Sequence, residues 1–251
     1  MRVYASARRL DAIEDLRAVG CDLLELDVTD EASRVAAIEA VGRVGTLVNN
    51  AGYSLSGAIE TVPLDDVRRQ FETNVFGLVR MCQLVLPGMR EAGRGTIVNV
   101  SSMGGRFTFP GGGYYHGSKH AVEAISDALR FEVAGFGIRV VVIEPGLIRT
   151  EFSATAAGGL AEISPDAGPY AAFEAAVGAA TVNAYERGAL ARLGGEPDVV
   201  ARVIERAIRS RRPRTRYRVT ASARLMIGLR RTLPDRLWDA LLASSYPRPG
   251  R

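Results

Sequence analysis

A tyrosine and a lysine four residues apart, Tyr115 and Lys119, lie in the stretch SSMGGRFTFPGGGYYHGSK at residues 101–119. In a helical pattern that spacing puts both side chains on one face. Lys119 is the only lysine among 32 basic residues; the rest are arginines. An ammonium is a compact cation that favours the phenolate form of a neighbouring tyrosine. A free phenol, with a pKa of about 10, is a poor base at neutral pH. Beside a cation its pKa moves towards the working range, and it becomes a general acid–base for proton exchange at an oxygen.

The elements around this pair explain how it would be held. Residues 95–100 (GTIVNV) form an apolar run that reads as a buried strand. Gly111, Gly112 and Gly113 then lead into a helix over 113–135 that carries Tyr115 and Lys119. Further strands are expected at 3–7, 21–26, 45–49, 138–143 and 217–220. Between them the spacing predicts helices at 10–19, 31–41 (capped by Thr29 or Asp30), 63–89 (one long or broken segment) and 196–210. Strands that are apolar throughout and alternate with helices argue for an α/β fold whose parallel sheet is covered on both faces. In such a sheet, ligands bind outside the carboxyl ends of the strands.

Composition narrows the classes of function. At 251 residues the chain suits one domain with a sizeable core. The net charge of +4 is small, and its one dense basic run, at 209–218, lacks aromatic interleaving, so it reads as a solvated turn rather than a nucleic-acid patch. Cys21 and Cys82 have no metal-ligand spacing, so no metal site and no disulfide scaffold are implied, and a reducing cytoplasm fits. No signal peptide is visible, and no uncharged run is long enough to span a membrane. His116 and His120 flank the Tyr115/Lys119 motif and read as helix-surface residues.

Several motifs in order resemble the short-chain dehydrogenase/reductase family, most strongly over residues 2–150. Asn49-Asn50-Ala51-Gly52 is similar to the family's Asn-Asn-Ala-Gly turn. Asn74 is similar to the asparagine of its catalytic tetrad, Ser102 to its serine, and Tyr115 with Lys119 to its Tyr/Lys signature. Pro145-Gly146, followed by Ile148 and Thr150, resembles the loop that closes on the nicotinamide. The resemblance implies a doubly wound, Rossmann-like sheet and the interconversion of an alcohol and a ketone or aldehyde. Tyr115 would pass the proton and Ser102 would hydrogen-bond the carbonyl oxygen as charge develops on it. Lys119 would also hold the nicotinamide ribose, and Asn74 a water that carries the proton onward.

NADP(H) is expected rather than NAD(H). Residues 7–9 read Ala7-Arg8-Arg9 where an acid would bind a ribose 2′-hydroxyl, and Arg8 suits a 2′-phosphate. Asp27 with Val28 resembles the family's adenine contact. Members of the family open with a strand, a Gly-rich turn and a helix that cradle the pyrophosphate. No Gly-x-x-x-Gly-x-Gly precedes Val3, so the first, central strand and helix are expected to be missing from residues 1–251, with the native protein extending upstream. The strands at 3–7 and 21–26 would then lose their bridge to the one at 45–49, leaving raw sheet edges.

Within this single domain, 153–195 is expected to form a lid over the substrate and 221–251 the C-terminal helices, broken at Pro234. Tyr53, Leu55, Met103, Phe107, Phe109, Leu147, Phe152, Tyr170 and Phe173 are the candidate pocket residues; with no charged pair among them, a bulky hydrophobic substrate is favoured. The chain looks most like the subgroup that resembles steroid and retinol dehydrogenases, and the resemblance implies a homodimer or homotetramer. Two other classes stay open: a non-catalytic or cofactor-deficient binding protein on the same scaffold, and a membrane-surface protein attached through 221–242.

Overall fold

The computed structural model describes residues 2–150, 168–188 and 190–249. Its strands are β1 (Tyr4–Ala7), β2 (Asp22–Glu25), β3 (Thr46–Asn49), β4 (Gly95–Val100), β5 (Ile138–Glu144) and β6 (Arg216–Arg218). Its helices are α1 (Glu31–Val41), α2 (Leu64–Phe71), α3 (Leu78–Glu91), α4 (Gly113–Val133), α5 (Ala171–Val182), α6 (Pro197–Arg209), α7 (Ala221–Thr232) and α8 (Asp235–Ala243). Every strand pairing among the described residues is parallel.

The strands form two sheets, β1-β2 and β3-β4-β5-β6. This is the break expected from the sequence: among the described residues no strand lies between the pair at the N-terminal end and β3. The facing elements are only partly covered, and Val48 on β3 is 38% exposed. The smaller sheet is tied to the larger body through α1, where Glu31 accepts from Arg80 Nε at 2.8 Å. Val28 at the end of β2 also packs so closely on Gly77 that a Cβ there would lie 3.1 Å from its own.

β4 and β5 hold the centre. Alternate side chains of a strand point to opposite faces, and here both faces are covered. Ile97 and Val140 pack with Leu78, Cys82, Val85 and Val122 from α3 and α4. Val98, Val141 and Ile143 pack on the other side with Ala207, Val203 and Ile204 of α6. Each such aliphatic side chain contributes about 1.5–3 kcal/mol by burial, which is why these strands carry no polar alternation. A polar ladder crosses the core: Asn49 Nδ2 donates to Asn99 Oδ1 and Asn99 Nδ2 to Ser126 Oγ, both at 2.9 Å, joining β3, β4 and α4.

Three local expectations change. Residues 10–19 form a 3₁₀ segment, Leu10–Arg17, broken at Ile13 (φ −131°). It has no side-chain cap and no buried residue, so no tertiary packing supports a regular helix there. The 63–89 segment divides into α2, a π turn at Glu72–Gly77, and α3. β6 begins at Arg216 and ends at Arg218, shifted towards the arginine run. Of the expected lid at 153–195, residues 153–167 and 189 lie outside the described residues; the described part is α5 and a π turn at Asn183–Arg187. The C-terminal helices α7 and α8 are separated at Pro234, as expected.

Candidate active site

Parallel strands bring their carboxyl ends to one side. On that side β3 delivers Asn50, Ala51 and Gly52, β4 delivers Ser101 and Ser102, β5 delivers Pro145 and Gly146, and the first turns of α4 deliver Tyr115 and Lys119. A cavity of about 850 Å³ opens there. Ser102, Tyr115 and His116 stand in its wall, and Met103, Leu147 and Met226 line its apolar part.

Ser102 caps the short turn Met103–Gly105, and its Oγ accepts from Gly104 N at 3.0 Å. The same hydroxyl is hydrogen-bonded to the Tyr115 phenol. Lys119 is buried beneath the tyrosine, with Nζ 5.9 Å from the ring centroid and donating to Val100 O at 2.9 Å. Burial raises the Tyr115 phenol above its ordinary value, an effect that the Ser102 hydrogen bond opposes and Tyr185 reinforces. The expected downward pull by Lys119 is therefore not the balance the structure strikes. Burial also brings Lys119 itself down to about 8, against the favourable charge of Glu123. A phenol held protonated is a proton donor, the form that carbonyl reduction needs.

Asn74 sits in the π turn, fully buried. Its Oδ1 accepts from Tyr53 N at 3.0 Å, and its Nδ2 donates to Tyr53 O at 2.9 Å and Ser118 Oγ at 3.0 Å. Ser118 Oγ in turn donates to Tyr115 O at 2.7 Å, so Asn74 braces both the Tyr53 loop and the catalytic helix. A Cβ on Gly52 would lie 2.9 Å from Asn74 Oδ1 and 3.4 Å from Lys119 Nζ, which is why glycine is needed at that close approach. Asn74, Ser102, Tyr115 and Lys119 are thus brought together.

The residues expected at a dinucleotide divide into two groups. Lys119 has three N–H groups and uses one on Val100 O. With Gly52 leaving open the space beside it, the remaining two suit the hydroxyls of a ribose. Pro145 O accepts from Met103 N at 2.7 Å, which fixes the start of the 145–150 loop. Gly146 is pressed against Ser222 and Thr220, Ile148 bridges to Gly195, and Thr150 is exposed. Arg8, Asp27 and Val28 stand at the ends of β1 and β2. Asp27 accepts from Thr29 N and Oγ1 at 2.8 and 2.7 Å, and these bonds, more than the nearby Arg8 charge, hold its carboxyl below the ordinary range. Arg8 is exposed, as are Asn50 and Ala51. The residues present fit the ribose and adenosine ends of a nicotinamide dinucleotide. Among the described residues no Gly-rich strand-to-helix turn offers main-chain donors to its pyrophosphate.

Sequence reasoning misplaced His116 and passed over two further groups. His116 is not on the helix surface: it is 8% exposed, and its Nδ1 lies 3.0 Å from Gly104 O. Gly104 makes the room, twelve residues upstream in a different element. Tyr185, in the π turn after α5, lines the cavity near Tyr115, and burial pushes its phenol up to about 12. Glu144, the residue before Pro145, is wholly buried near Glu123, with Arg216 and Arg218 each 3.4 Å away and Arg106 at 3.8 Å. Burial and the Glu123 charge raise its carboxyl, against the three arginines.

Of the expected pocket residues, Met103, Phe109 and Leu147 line the cavity. Leu55 packs instead with Val62 and Val67, and Phe107 against Trp238. Tyr170 and Phe173 line a second cavity, and the Tyr53 loop is held by Asn74. Phe152 lies outside the described residues. The apolar positions of α7 and α8 are core and pocket wall: Ile227 and Trp238 are buried together, and Met226, Leu229 and Leu242 face the cavity. No described helix is long and apolar enough to cross a membrane.

A family model described as short chain dehydrogenase matches residues 2–159. The chain is 33% identical over 252 residues to an uncharacterized oxidoreductase, YusZ, of Bacillus subtilis (strain 168), covering 96% of this chain and 88% of the relative. Over 135 residues it is 44% identical to a 3-ketodihydrosphingosine reductase of Bacteroides thetaiotaomicron, covering 52% of this chain and 50% of the relative. The crystal structure of a short-chain dehydrogenase from Streptomyces avermitilis superposes with a TM-score of 0.72 at 29% identity, covering 96% of this chain and 85% of that one. Similarly folded chains are known in complex with NADP+ and with NAD.

Proposed function

The chain belongs to the short-chain dehydrogenase family, and on that premise we propose that it reduces a hydrophobic ketone or aldehyde, or oxidises the matching alcohol, with NADP(H). The observation that carries this reading is the meeting of Ser102, Tyr115 and Lys119 at a cavity whose described lining holds no charged side chain. When bound, the nicotinamide supplies or accepts the hydride. Everything else falls to the chain. Apolar walls at Met103, Leu147 and Met226 bind the substrate and exclude water. Ser102 orients the carbonyl oxygen, and its hydrogen bond strengthens as negative charge develops there. Tyr115 gives its hydroxyl proton to that oxygen. Lys119 holds the nicotinamide ribose with the donors that Val100 O leaves over. Asn74 keeps the helix carrying Tyr115 and Lys119 in register with the Tyr53 loop.

The preference for NADP(H) rests on Arg8, an exposed guanidinium at the end of β1. Charge-assisted hydrogen bonds to a phosphate are worth about 1.5–3 kcal/mol. Arg8→Ala is therefore expected to raise the KM for NADPH about ten-fold or more while leaving that for NADH nearly unchanged. Steady-state kinetics with both cofactors checks this, and an equal effect on the two would remove Arg8 from the phosphate. Phe76 and Phe131, 55% and 88% exposed on neighbouring helical segments, support a homodimer or homotetramer as the working form.

A further inference from the structure

His116 has a geometry that the proton-transfer chemistry does not use. Its Nδ1 lies 3.0 Å from Gly104 O. A carbonyl oxygen only accepts, so Nδ1 carries the proton and Nε2 is left with a bare lone pair. Burial pushes the ring's pKa down to about 4, so this tautomer is uncharged at neutral pH. Nε2 has no hydrogen-bond partner among the described residues, and it is not one of the sealed, unpartnered atoms of the interior. The edge that carries it is kept clear by a glycine: a Cβ on Gly112 would lie 2.8 Å from both Nε2 and Cδ2. Gly112 and His116 line the same cavity as Ser102 and Tyr115, and the Tyr115 and His116 rings are 5.6 Å apart.

We propose that His116 is a specificity-determining residue, whose Nε2 accepts a hydrogen bond from a hydroxyl carried by the substrate close to its reacting carbonyl. The proposal rests on the reading of this cavity as a carbonyl-reducing site. The other polar groups of the wall do not select in this way. Ser54, Ser56 and Thr181 carry hydroxyls that donate or accept as required, and Asn183 offers both functions. His116, its tautomer fixed by Gly104, can only accept. A ligand that expels water from Nε2 without replacing its donor leaves a buried acceptor unpaired, and sites built on such a group discriminate strongly against the analogue that lacks the partner. A hydroxyl is favoured over an ammonium because the described lining has no carboxylate to pair with a buried cation. The substrate class is therefore an uncharged hydroxyketone with an apolar remainder.

The test compares a medium-chain ketone bearing a hydroxyl on a carbon next to the carbonyl with the same ketone lacking it. Two readings are taken: kcat/KM with NADPH, and calorimetric affinity for the two alcohol products, the diol and the simple alcohol. The wild-type protein is expected to favour the hydroxylated member of each pair about ten-fold or more. His116→Phe should bring both ratios close to one, whatever happens to the overall rate, and His116→Gln, which keeps an acceptor, should retain part of the preference. A wild-type ratio near one, or a preference that survives in His116→Phe, overturns the proposal even if one variant folds poorly. If the wild type reduces neither ketone yet binds the diol preferentially and loses that preference in the variant, the recognition role stands and the dehydrogenase reading fails.

Discussion

Replacing Tyr115 by phenylalanine is expected to lower carbonyl reduction by about 10³-fold while leaving the thermal unfolding profile close to wild type. A positioned general acid typically contributes about 10²–10⁴-fold. Phenylalanine keeps the ring and its packing but removes the proton. Ser102 retains its bond from Gly104 N, so the turn that carries it does not depend on the lost hydroxyl. The pH profile gives a second reading. Tyr115 is raised by burial, so its proton is present across the physiological range. Lys119 is lowered to about 8, so its ammonium is lost as pH rises through that value, and with it the charged donor proposed for the ribose. Wild-type reduction should therefore fall above about pH 8, before the phenol titrates. The same shift has a stability sign. Between about 8 and the ordinary 10.5 the unfolded chain holds this proton more tightly than the folded one, so this group's contribution moves in favour of the folded state as pH rises. A loss under ten-fold in the phenylalanine variant would remove Tyr115 from the proton path.

The second large effect is on stability. Glu144→Ala is expected to cost about 3 kcal/mol, because breaking a buried ion cluster strands the remaining charges. Glu144 is fully buried, and its side chain is the common partner of Arg106, Arg216 and Arg218, which come from three separate segments of the chain. Arg218→Ala should cost far less, since that side chain is one-third exposed. The pH sign is opposite to that of Lys119. The carboxyl is raised, so its stabilising contribution is fully present below the ordinary carboxylate value of 4.5 and is lost as pH rises through the folded value. Urea unfolding of both variants measures this, and an arginine variant weaker than Glu144→Ala would contradict the assignment. Glu144 immediately precedes Pro145 and Gly146, so the variant should also weaken binding that depends on the 145–150 loop.

What was legible in the sequence was what local spacing and strand order encode. Tyr115 and Lys119 share a face because they are four residues apart, and Ser102 joins them because it ends a strand whose every residue is buried. β4 and β5 were legible because both their faces are covered and their sequences show no alternation. The break between β2 and β3 was legible from the order of the strands. What escaped depended on distant partners. His116 is buried because Gly104 has no side chain, and nothing near His116 in the sequence says so. The raised Tyr115 phenol reflects enclosure in which Tyr185, seventy residues on, takes part. Glu144 reads as a strand end until arginines from three other places converge on it. The stretch at 10–19 has helical spacing but buries no residue, so spacing alone misled.

The central claim is that this chain's Ser102, Tyr115 and Lys119 serve hydride transfer to an apolar carbonyl. Its most direct test is incubation of the protein with a decanone and NADPH deuterated at nicotinamide C4, followed by mass spectrometry of the product. The account predicts decanol carrying one deuterium on the carbinol carbon, formed by the wild type and nearly absent with Tyr115→Phe. Deuterium that stays in the dinucleotide while no alcohol forms, with this and other apolar ketones and aldehydes, would contradict it.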